Sequence, residues 1–385
     1  MADPDTIAAI GTPPGPSALA VIRLTGPGAF GILSRLCPEL PSKREARKVL
    51  LTRAMEPDTH EELDQVLVTV FPAPESYTGE DMVEISCHGG WLSPRLLLEA
   101  CISLGAREAE EGEFTRRAFL NGKMDLLQVE AVLDLIESRS RALHGAAIHQ
   151  LERGLSERIG GLREGLVGLE AFLVHHLDFP EEDDPPVPVQ EILSMAERLQ
   201  GLITQLLDTA PEGELLREGA VTVLAGRPNS GKSSLFNALL GEERAIVTEV
   251  PGTTRDALEA VVSLGGYPFR LVDTAGLRET DERVERIGVE VARRYLRGAD
   301  VVLFCSEGYG DLRDDEEGFL REIADIPVLI VRTKMDRWEG GKRDGGNPPG
   351  AIGTSVKTGE GLDELRQVLP SLVFEGLVQG KSEVP

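Results

Sequence analysis

Three regions of this chain differ in the spacing of their apolar residues. From residue 1 to about 119, short β-branched and apolar runs typical of strands alternate with segments whose apolar residues recur at helical spacing. The predicted strands are residues 6–10, 19–24, 63–71 and 81–87, and the predicted helices are residues 29–37 and 93–104. This interleaving predicts an α+β domain over residues 1–119.

The second region, residues 120–215, has only the helical spacing. Residues 124–177 contain no proline, and their apolar side chains recur every three or four positions in two stripes. One stripe is Leu162, Leu166, Leu169 and Leu173, and the other is Ala147, Leu151 and Leu155. An acidic, proline-containing segment follows at residues 178–186, and a further helix is predicted over residues 189–207. We expect a helical bundle whose stripes form its core rather than a cofactor site.

Strands and helices alternate again in the third region, residues 216–372. The predicted strands are residues 221–224, 269–272, 301–304, 328–331 and 351–354. Helical patterns separate them, which is typical of a doubly wound α/β fold. Residues 373–385 form a short tail. The chain is therefore predicted to be multidomain α/β.

The charge balance narrows the possible partners. The formal net charge is -25, and so acidic a chain is a poor unaided binder of nucleic acid, because non-specific affinity comes from cations on phosphates. If RNA is the substrate, we expect a basic partner to hold it. The four cysteines have no spacing typical of a zinc site or a disulfide framework. The N-terminus lacks the pattern of a secretory leader, and no apolar stretch of about 18 residues occurs. We expect a cytoplasmic protein without membrane association.

Residues 226–233 follow the pattern G-x-x-x-x-G-K-S and lie between a predicted strand and a predicted helix. This is the pattern of a phosphate-binding P-loop. Gly226 and Gly231 let backbone N–H groups point at phosphates, and the positive end of the helix adds to the anion site. Lys232 brings a charge to the β- and γ-phosphates, while the Ser233 hydroxyl can bind Mg²⁺. We prefer this interpretation to an ordinary glycine-rich turn.

Two further segments carry groups suited to Mg²⁺ and the γ-phosphate. Asp273 ends an apolar strand, and its carboxylate can hold Mg²⁺ through water. The N–H of Gly276, three residues later, can meet the γ-phosphate. Thr254 lies in a polar loop between this segment and the P-loop and is the candidate second hydroxyl ligand of Mg²⁺. A plain turn is the alternative for that loop.

The preferred base is predicted to be guanine. The strand at 328–331 leads into Thr333, Lys334 and Asp336. A carboxylate there can accept both guanine N1–H and N2–H₂, a pair that adenine does not offer. The Lys334 stem can lie over the base plane, and the backbone around Ser355 can supply N–H groups to guanine O6. In this order the segments resemble the Ras-like GTPase superfamily, whose Asn-Lys-x-Asp motif has Thr333 in place of its Asn here.

Hydrolysis needs a different arrangement from that of Ras proteins. Leu277 stands where they carry a Gln that orients the attacking water, and no arginine finger can be identified. Another cation is then needed between the phosphates, and Asn229 in the P-loop is a candidate ligand for a monovalent one. Glu285 could orient the water, although spacing alone favours a solvated helix face for that acidic segment.

Blocks outside the GTPase segment resemble one family closely. They are DTIAAI at residues 5–10, TPPG at 12–15, SYTGEDMVE at 76–84, CHGG at 87–90, GEFTRRAFLNGKMDL at 112–126, DFP at 178–180 and LLREG at 215–219. In this order they are similar to the MnmE (TrmE) family of tRNA-modification GTPases. The match covers nearly the whole chain.

The resemblance implies an activity and partners. Family members work with the FAD-dependent protein MnmG (GidA), and together they add a carboxymethylaminomethyl-type group to C5 of the wobble uridine of certain tRNAs. The N-terminal domain dimerises and binds a tetrahydrofolate one-carbon donor, which Arg23, Glu84 and Lys123 would contact by motif match. We therefore expect a homodimer that forms a heterotetramer with MnmG, the tRNA being held mainly by that partner.

The resemblance also implies potassium-stimulated hydrolysis. Asn229, Thr248, Val250 and Thr253 would hold K⁺, Ser233 and Thr254 would hold Mg²⁺, and Glu285 would orient water. Glu285, Asn229 and Lys232 are then the candidate catalytic residues. The candidate GTP-binding residues are Asn229, Ser230, Gly231, Lys232, Ser233, Ser234, Thr248, Glu249, Val250, Pro251, Gly252, Thr253, Thr254, Asp273, Thr274, Ala275, Gly276, Thr333, Lys334, Asp336, Ser355 and Val356.

One departure from the family concerns the end of the sequence. Family members carry the G domain inside the helical domain, which resumes afterwards and ends in Cys-x-Gly-Lys, whereas this sequence stops at Pro385. We expect the rest of the helical domain to be absent and the stripes of residues 120–215 to lack a partner. Two alternatives stay open: a truncated member with impaired tRNA modification, and a regulatory switch of the ribosome-assembly type, against which the charge of -25 argues.

Overall fold

The chain forms two compact units, Met1–Glu130 and Ala131–Pro385. The structure is a computed structural model, and it describes residues 5–41, 45–152, 154–178, 187–242, 258–273, 295–308, 310–337 and 350–378. Among these residues, no helix combines the length and the apolar character needed to cross a membrane.

The first unit is a six-stranded sheet with helices on one face. Its elements are β1 (Ile7–Ile10), β2 (Gly15–Thr25), α1 (Ala29–Leu36), β3 (Leu50–Met55), β4 (Glu62–Phe71), β5 (Met82–Gly90), α2 (Ser93–Ser103), β6 (Arg107–Glu108) and α3 (Glu113–Leu120). Helix α4 (Leu126–Glu137) spans the boundary between the units. The sheet order is β3-β4-β5-β2-β1-β6, and the predicted α+β class of this region is confirmed.

Side-chain alternation divides the residues of this sheet between two faces. Ile22 and Ile85, which are directly opposite on β2 and β5, join the core formed with Leu33 of α1 and Leu97 of α2. Their neighbours on the same strands therefore point to the other face. The sequence patterns predicted β1, β2, β4 and β5 but missed β3 and β6. Strand β3 buries the polar Thr52 and exposes Leu51, which hides the usual alternation, and β6 has only two residues.

A buried carboxylate ties the start of α3 to the strands. Glu113 is 2% exposed; Arg107 Nη2 donates to its Oε1 at 2.7 Å, and Arg117 Nη2 donates to the same atom at 3.1 Å. Both arginines also bind Asp5, just ahead of β1, at 2.7 and 2.5 Å. The hydrogen bond from Arg107 is the main cause that lowers the pKa of the Glu113 carboxyl to about 2.

The Glu113→Gln variant is expected to destabilise this unit by roughly 3 kcal/mol at pH 7, because it leaves two arginines without their shared carboxylate. The folded-state pKa of Glu113 lies below its ordinary value of 4.5. The stabilisation is therefore present above that value and is lost as the pH falls toward about 2. Urea unfolding of wild type and variant between pH 7 and pH 3 should show the two curves converging below about pH 4.5. Glu45→Gln, at an exposed pair with Lys48, is the control. A difference in the free energy of unfolding between wild type and Glu113→Gln that is independent of pH would contradict the role given to the Glu113 charge.

The second unit combines long helices with a second six-stranded sheet. Its elements are α5 (Arg141–Leu151), α6 (Gly154–Asp178), α7 (Val189–Glu218), β7 (Ala220–Gly226), α8 (Lys232–Glu242), β8 (Leu258–Leu264), β9 (Tyr267–Asp273), β10 (Val301–Glu307), α9 (Asp314–Glu322), β11 (Val328–Thr333), β12 (Ile352–Gly353), α10 (Leu362–Val373) and α11 (Glu375–Val378). The sheet order is β12-β11-β10-β7-β9-β8.

Strand β7 lies at the point where the chain turns from one half of this sheet to the other. It pairs in parallel with β9 on one side and with β10 on the other, so that the carboxyl ends of all three meet at one edge. Ligands of doubly wound sheets bind at such a switch point. Strand β10 is apolar from Val301 to Cys305 because these residues enter two cores, Leu303 on one face and Phe304 on the other. The predicted α/β fold is confirmed, although the antiparallel edge strand β8 was missed.

Two expectations about the helices need correction. The helix predicted over residues 189–207 runs on to Glu218, through Pro211, and ends where Gly219 N–H donates to the Leu215 carbonyl at 2.9 Å. Burial of Leu216 in the sheet's core offsets the unfavourable proline. The stripe predicted as core on α6 is not buried: Leu166 and Leu173 are 46% and 47% exposed. Leu162 and Leu169 are half-buried, so in the described part of the chain the neighbours of α6 cover this stripe only in part. A closed helical bundle stays a prediction.

Candidate nucleotide-binding site

The P-loop connects β7 directly to α8. Gly226 has a φ of 136°, and a Cβ there would lie 2.2 Å from the Cys305 carbonyl oxygen of β10, so only glycine fits. Asn229 has a φ of 62°, in the left-handed region that Asn tolerates better than most residues. Helix α8 begins at Lys232, and the Leu235 N–H already donates to the Gly231 carbonyl at 2.9 Å. The loop therefore presents a helix N-terminus to an anion.

Lys232 is buried and points back along the loop. Its Nζ donates to the carbonyl oxygens of Gly226 at 3.0 Å and Arg227 at 2.7 Å. A neutral carbonyl oxygen forms a weaker hydrogen bond with an ammonium group than a charged phosphate oxygen does. Phosphates can therefore displace these two carbonyls from Lys232. Ser233 and Ser234 in the first turn of α8 are exposed. The structure thus brings a cation, a helix N-terminus and two hydroxyls together at one end of the loop.

Asp273 lies beside this loop at the end of β9. It is opposite Leu224 of β7 in the parallel ladder and is 1% exposed. Sequence reasoning predicted a carboxylate at a strand end next to the P-loop, and the structure places Asp273 there. An aspartate and a serine hydroxyl at this edge are hard oxygen donors of the kind that Mg²⁺ prefers.

The loop after β11 is joined to the P-loop by two hydrogen bonds. Thr333 Oγ1 donates to the Ser230 carbonyl at 2.6 Å, and Lys334 Nζ donates to the Asn229 carbonyl at 2.6 Å. Gly231 also lies against Thr333, where an added Cβ would be 3.3 Å from the threonine Cβ. The hydroxyl that replaces the usual amide therefore connects two loops of the site. Its single proton lies between the Ser230 carbonyl and the more distant Ser306 carbonyl, at 3.4 Å.

Asp336 lies two residues after Lys334, in a short 3₁₀ turn (Met335–Arg337). Its Oδ1 accepts from the Ser355 hydroxyl at 2.8 Å, and Ser355 follows β12 and is fully buried. Val356 next to it is 42% exposed. The structure therefore brings together the carboxylate and the serine loop that the sequence assigned to the guanine base.

Several predicted site residues lie outside the part of the chain that the structure describes. They are Thr248, Glu249, Val250, Pro251, Gly252, Thr253, Thr254, Thr274, Ala275, Gly276 and Glu285. Their roles stay predictions. Sequence reasoning also missed Glu307, whose Oε2 accepts from Lys334 Nζ at 2.9 Å. The signal for Glu307 in the sequence was an acidic residue at the end of β10, two positions after the apolar run that ends at Cys305.

The predicted folate residues of the first unit are only partly brought together. Arg23 and Glu84 are directly opposite on β2 and β5, on the face away from α1 and α2, and Arg23 Nη2 lies 2.9 Å from Glu84 Oε1. Arg23 Nε is buried and has no hydrogen-bond partner among the described residues. Lys123 makes a different contact, donating to the Pro74 carbonyl at 3.0 Å. The pair is assembled on the sheet, while Lys123 belongs to the neighbouring loop.

Comparison with known proteins gives matches to both units. Residues 6–123 match the family described as the GTP-binding protein TrmE N-terminus, and residues 221–334 match the family described as 50S ribosome-binding GTPase. Among solved structures, the G domain of the FeoB iron transporter of T. maritima is 32% identical and covers 39% of this chain and 96% of that chain, at a TM-score of 0.30. At that TM-score the likeness adds nothing to the assignment.

Full-length relatives settle the family. The tRNA modification GTPase MnmE of Heliobacterium modesticaldum is 44% identical over 380 residues, which are 96% of this chain and 81% of the relative. The protein of the same name from Geobacter metallireducens is 42% identical over 386 residues, 98% of this chain and 82% of the relative. At this identity and coverage, and with the match of residues 6–123 to the TrmE N-terminus family, the chain belongs to the MnmE family of tRNA modification GTPases.

Proposed function

We propose that this chain is a potassium-stimulated GTPase that acts with an FAD-dependent partner of the MnmG kind. Together they add a carboxymethylaminomethyl group to C5 of the wobble uridine in certain tRNAs. The observation that carries the GTPase part is the P-loop itself, where Lys232 lies at the start of α8. Residues 333–336, which the sequence predicts to bind guanine and which are called the guanine loop below, hold the carbonyls of Asn229 and Ser230. The family membership carries the tRNA part.

The metal requirements are proposed from the donors present. Ser233 and Asp273 would hold Mg²⁺, directly and through water, and Thr254 would complete the set. Mg²⁺ in such sites neutralises charge that develops on the phosphates. Asn229, in its left-handed conformation and exposed on the loop, would hold K⁺ together with Thr248, Val250 and Thr253. A K⁺ there supplies positive charge without an arginine finger, and Glu285 would orient the water.

The folate proposal rests on the Arg23–Glu84 pair. A carboxylate can accept from the adjacent N–H donors of a pterin, while a guanidinium suits a carboxylate-bearing ligand. The buried, unpartnered Nε of Arg23 is a donor that a ligand on this face could satisfy. Lys123 would join the site from the loop beside it. The same open sheet face carries the exposed Leu19 and Leu67, which fits a homodimer through this unit.

Equilibrium binding of a tetrahydrofolate to the whole chain tests the N-terminal assignment. Glu84→Gln is expected to weaken binding about tenfold or more, because one pterin donor loses a charged acceptor. Glu99→Gln on α2, where the glutamate makes an exposed pair with Arg95, is the matched control and should bind as wild type does. Absence of folate binding by wild type, or equal loss in both variants, would contradict the proposal.

A second candidate function follows from the family model that matches residues 221–334, which is described as a 50S ribosome-binding GTPase. The net charge of -25 argues against direct binding to ribosomal RNA. GTP-dependent co-sedimentation with large ribosomal subunits would support this function. Recovery of the chain only in the unbound fraction, with and without GTP, would exclude it.

A further inference from the structure

A buried arginine lies directly behind the guanine loop. Arg332 of β11 precedes Thr333, is 1% exposed and is the largest fully buried side chain in the described part of the chain. A buried guanidinium is costly unless hydrogen bonds and an opposite charge compensate for its lost hydration. Its Nη1 donates to Ser306 Oγ of β10 at 2.9 Å, and its Nη2 donates to the Gly310 carbonyl. Ser306 is thus the side chain through which the arginine contacts the neighbouring strand.

Ser306 also contacts a buried carboxylate. Its hydroxyl donates to Glu316 Oε1 at 3.2 Å, and Glu316, in the first turn of α9, is 6% exposed. Glu316 Oε2 accepts the N–H of Arg313 at 3.1 Å, which fixes the start of the helix. Because a hydroxyl has one proton and free lone pairs, Ser306 can accept from Arg332 and donate to Glu316 at the same time. The serine therefore bridges two buried charges.

The bridged charges are connected to the phosphate loop. The residue after Arg332 is Thr333, whose hydroxyl donates to the Ser230 carbonyl at 2.6 Å. The residue after Ser306 is Glu307, which binds the same Lys334 that holds the Asn229 carbonyl. The end of β11 thus holds both P-loop carbonyls, through Thr333 and Lys334. The end of β10 supports that contact because Glu307 binds Lys334, and Ser306 joins the two strand ends through Arg332.

We propose that Ser306 and Glu316 are positioning residues of the nucleotide site. The hydrogen bonds that Ser306 makes with Arg332 and with Glu316 fix the ends of β10 and β11. They thereby hold the P-loop and the guanine loop at the spacing that GTP requires. The inference rests on the proposed GTP binding. If the network only neutralised a buried charge, it would contribute to stability and leave nucleotide affinity unchanged.

Ser306→Ala in the whole chain tests this directly. We expect KM for GTP and Kd for a non-hydrolysable GTP analogue to rise about tenfold, while kcat stays within about twofold of wild type. This is the effect of losing one hydrogen bond to a charged group when that bond contributes to binding. Ser306→Thr keeps the hydroxyl and should restore most of the affinity. The unfolding temperature of each variant is measured beside the kinetics.

Two adjacent glutamates provide a matched pair. Glu316→Gln should raise KM as Ser306→Ala does, whereas Glu317→Gln, at an exposed pair with Arg321, should not. A lower unfolding temperature of Ser306→Ala with unchanged KM and Kd would overturn the proposal and leave a purely structural network. A fall in kcat with unchanged KM would overturn it as well. Failure of wild type to bind GTP would instead refute the proposed function on which the inference rests.

Discussion

Replacing Lys232 with alanine is expected to lower kcat/KM for GTP hydrolysis by about a thousandfold, the order found when a donor that stabilises developing charge is removed. In the structure Lys232 Nζ donates to two neutral carbonyl oxygens of the P-loop, at 2.7 and 3.0 Å. Charged phosphate oxygens are stronger acceptors, so the ammonium should move to them and stabilise charge on the β- and γ-phosphates. Phosphate release under saturating Mg²⁺ and K⁺ measures the effect.

A control is needed because Lys232 also donates hydrogen bonds to P-loop carbonyls, so its loss could disturb the loop itself. Lys48→Ala removes a lysine from an exposed pair with Glu45 in the first unit and should hydrolyse GTP as wild type does. Thermal unfolding shows whether Lys232→Ala is folded. A folded Lys232→Ala chain with more than about a tenth of the wild-type kcat/KM would contradict the assigned role.

Exchanging Asp336 for asparagine is expected to raise Kd for GTP about a hundredfold or more and to create affinity for xanthosine triphosphate. The carboxylate accepts two adjacent guanine donors, N1–H and N2–H₂, whereas the asparagine amide presents a donor that suits the carbonyl at C2 of xanthine. The Ser355 hydroxyl, 2.8 Å from Asp336 Oδ1, can still donate to the amide oxygen, so the local structure is retained. Competition binding with both nucleotides measures the change.

The matched control for this variant is Asp363→Asn at the start of α10, where the carboxylate is exposed and pairs with Arg366. It should leave both affinities unchanged. Loss of GTP binding without any gain for the xanthine nucleotide would point to a structural role of Asp336. Unchanged GTP binding by Asp336→Asn would mean that the guanine base does not contact Asp336.

The parts of the fold that were predicted correctly have a strong local signal. Strands β7, β9, β10 and β11 are apolar runs buried on both faces, so their pattern is nearly continuous and unambiguous. Strand β8 was missed because it is an edge strand whose alternation includes Glu259 and Ser263. The length of α7 was underestimated because Pro211 is a local stop signal, and burial of Leu216 overrides it only in the tertiary structure.

The site shows the same division between local and non-local information. The P-loop, Asp273 and Asp336 could be predicted because their chemistry follows from residue type and spacing along the chain. Ser306, Glu307 and Arg332 could not, because each is an ordinary polar residue at a strand end until the parallel pairing places β10 beside β11. Likewise, the family resemblance implied that Arg23 and Glu84 share a ligand, but only the pairing of β2 with β5 shows that they contact each other.

In the proposed mechanism, Glu285 takes the place of the glutamine of other GTPases, and a potassium ion bound at Asn229 takes the place of their arginine finger. GTP hydrolysis by the whole chain, measured in KCl and in NaCl at equal ionic strength, tests the role of potassium most directly. We expect hydrolysis to be about tenfold or more faster in KCl, because a positioned cation stabilises charge between the phosphates. We also expect Asn229→Ala to remove this difference. Equal rates of the wild-type chain in the two salts would contradict the role of potassium.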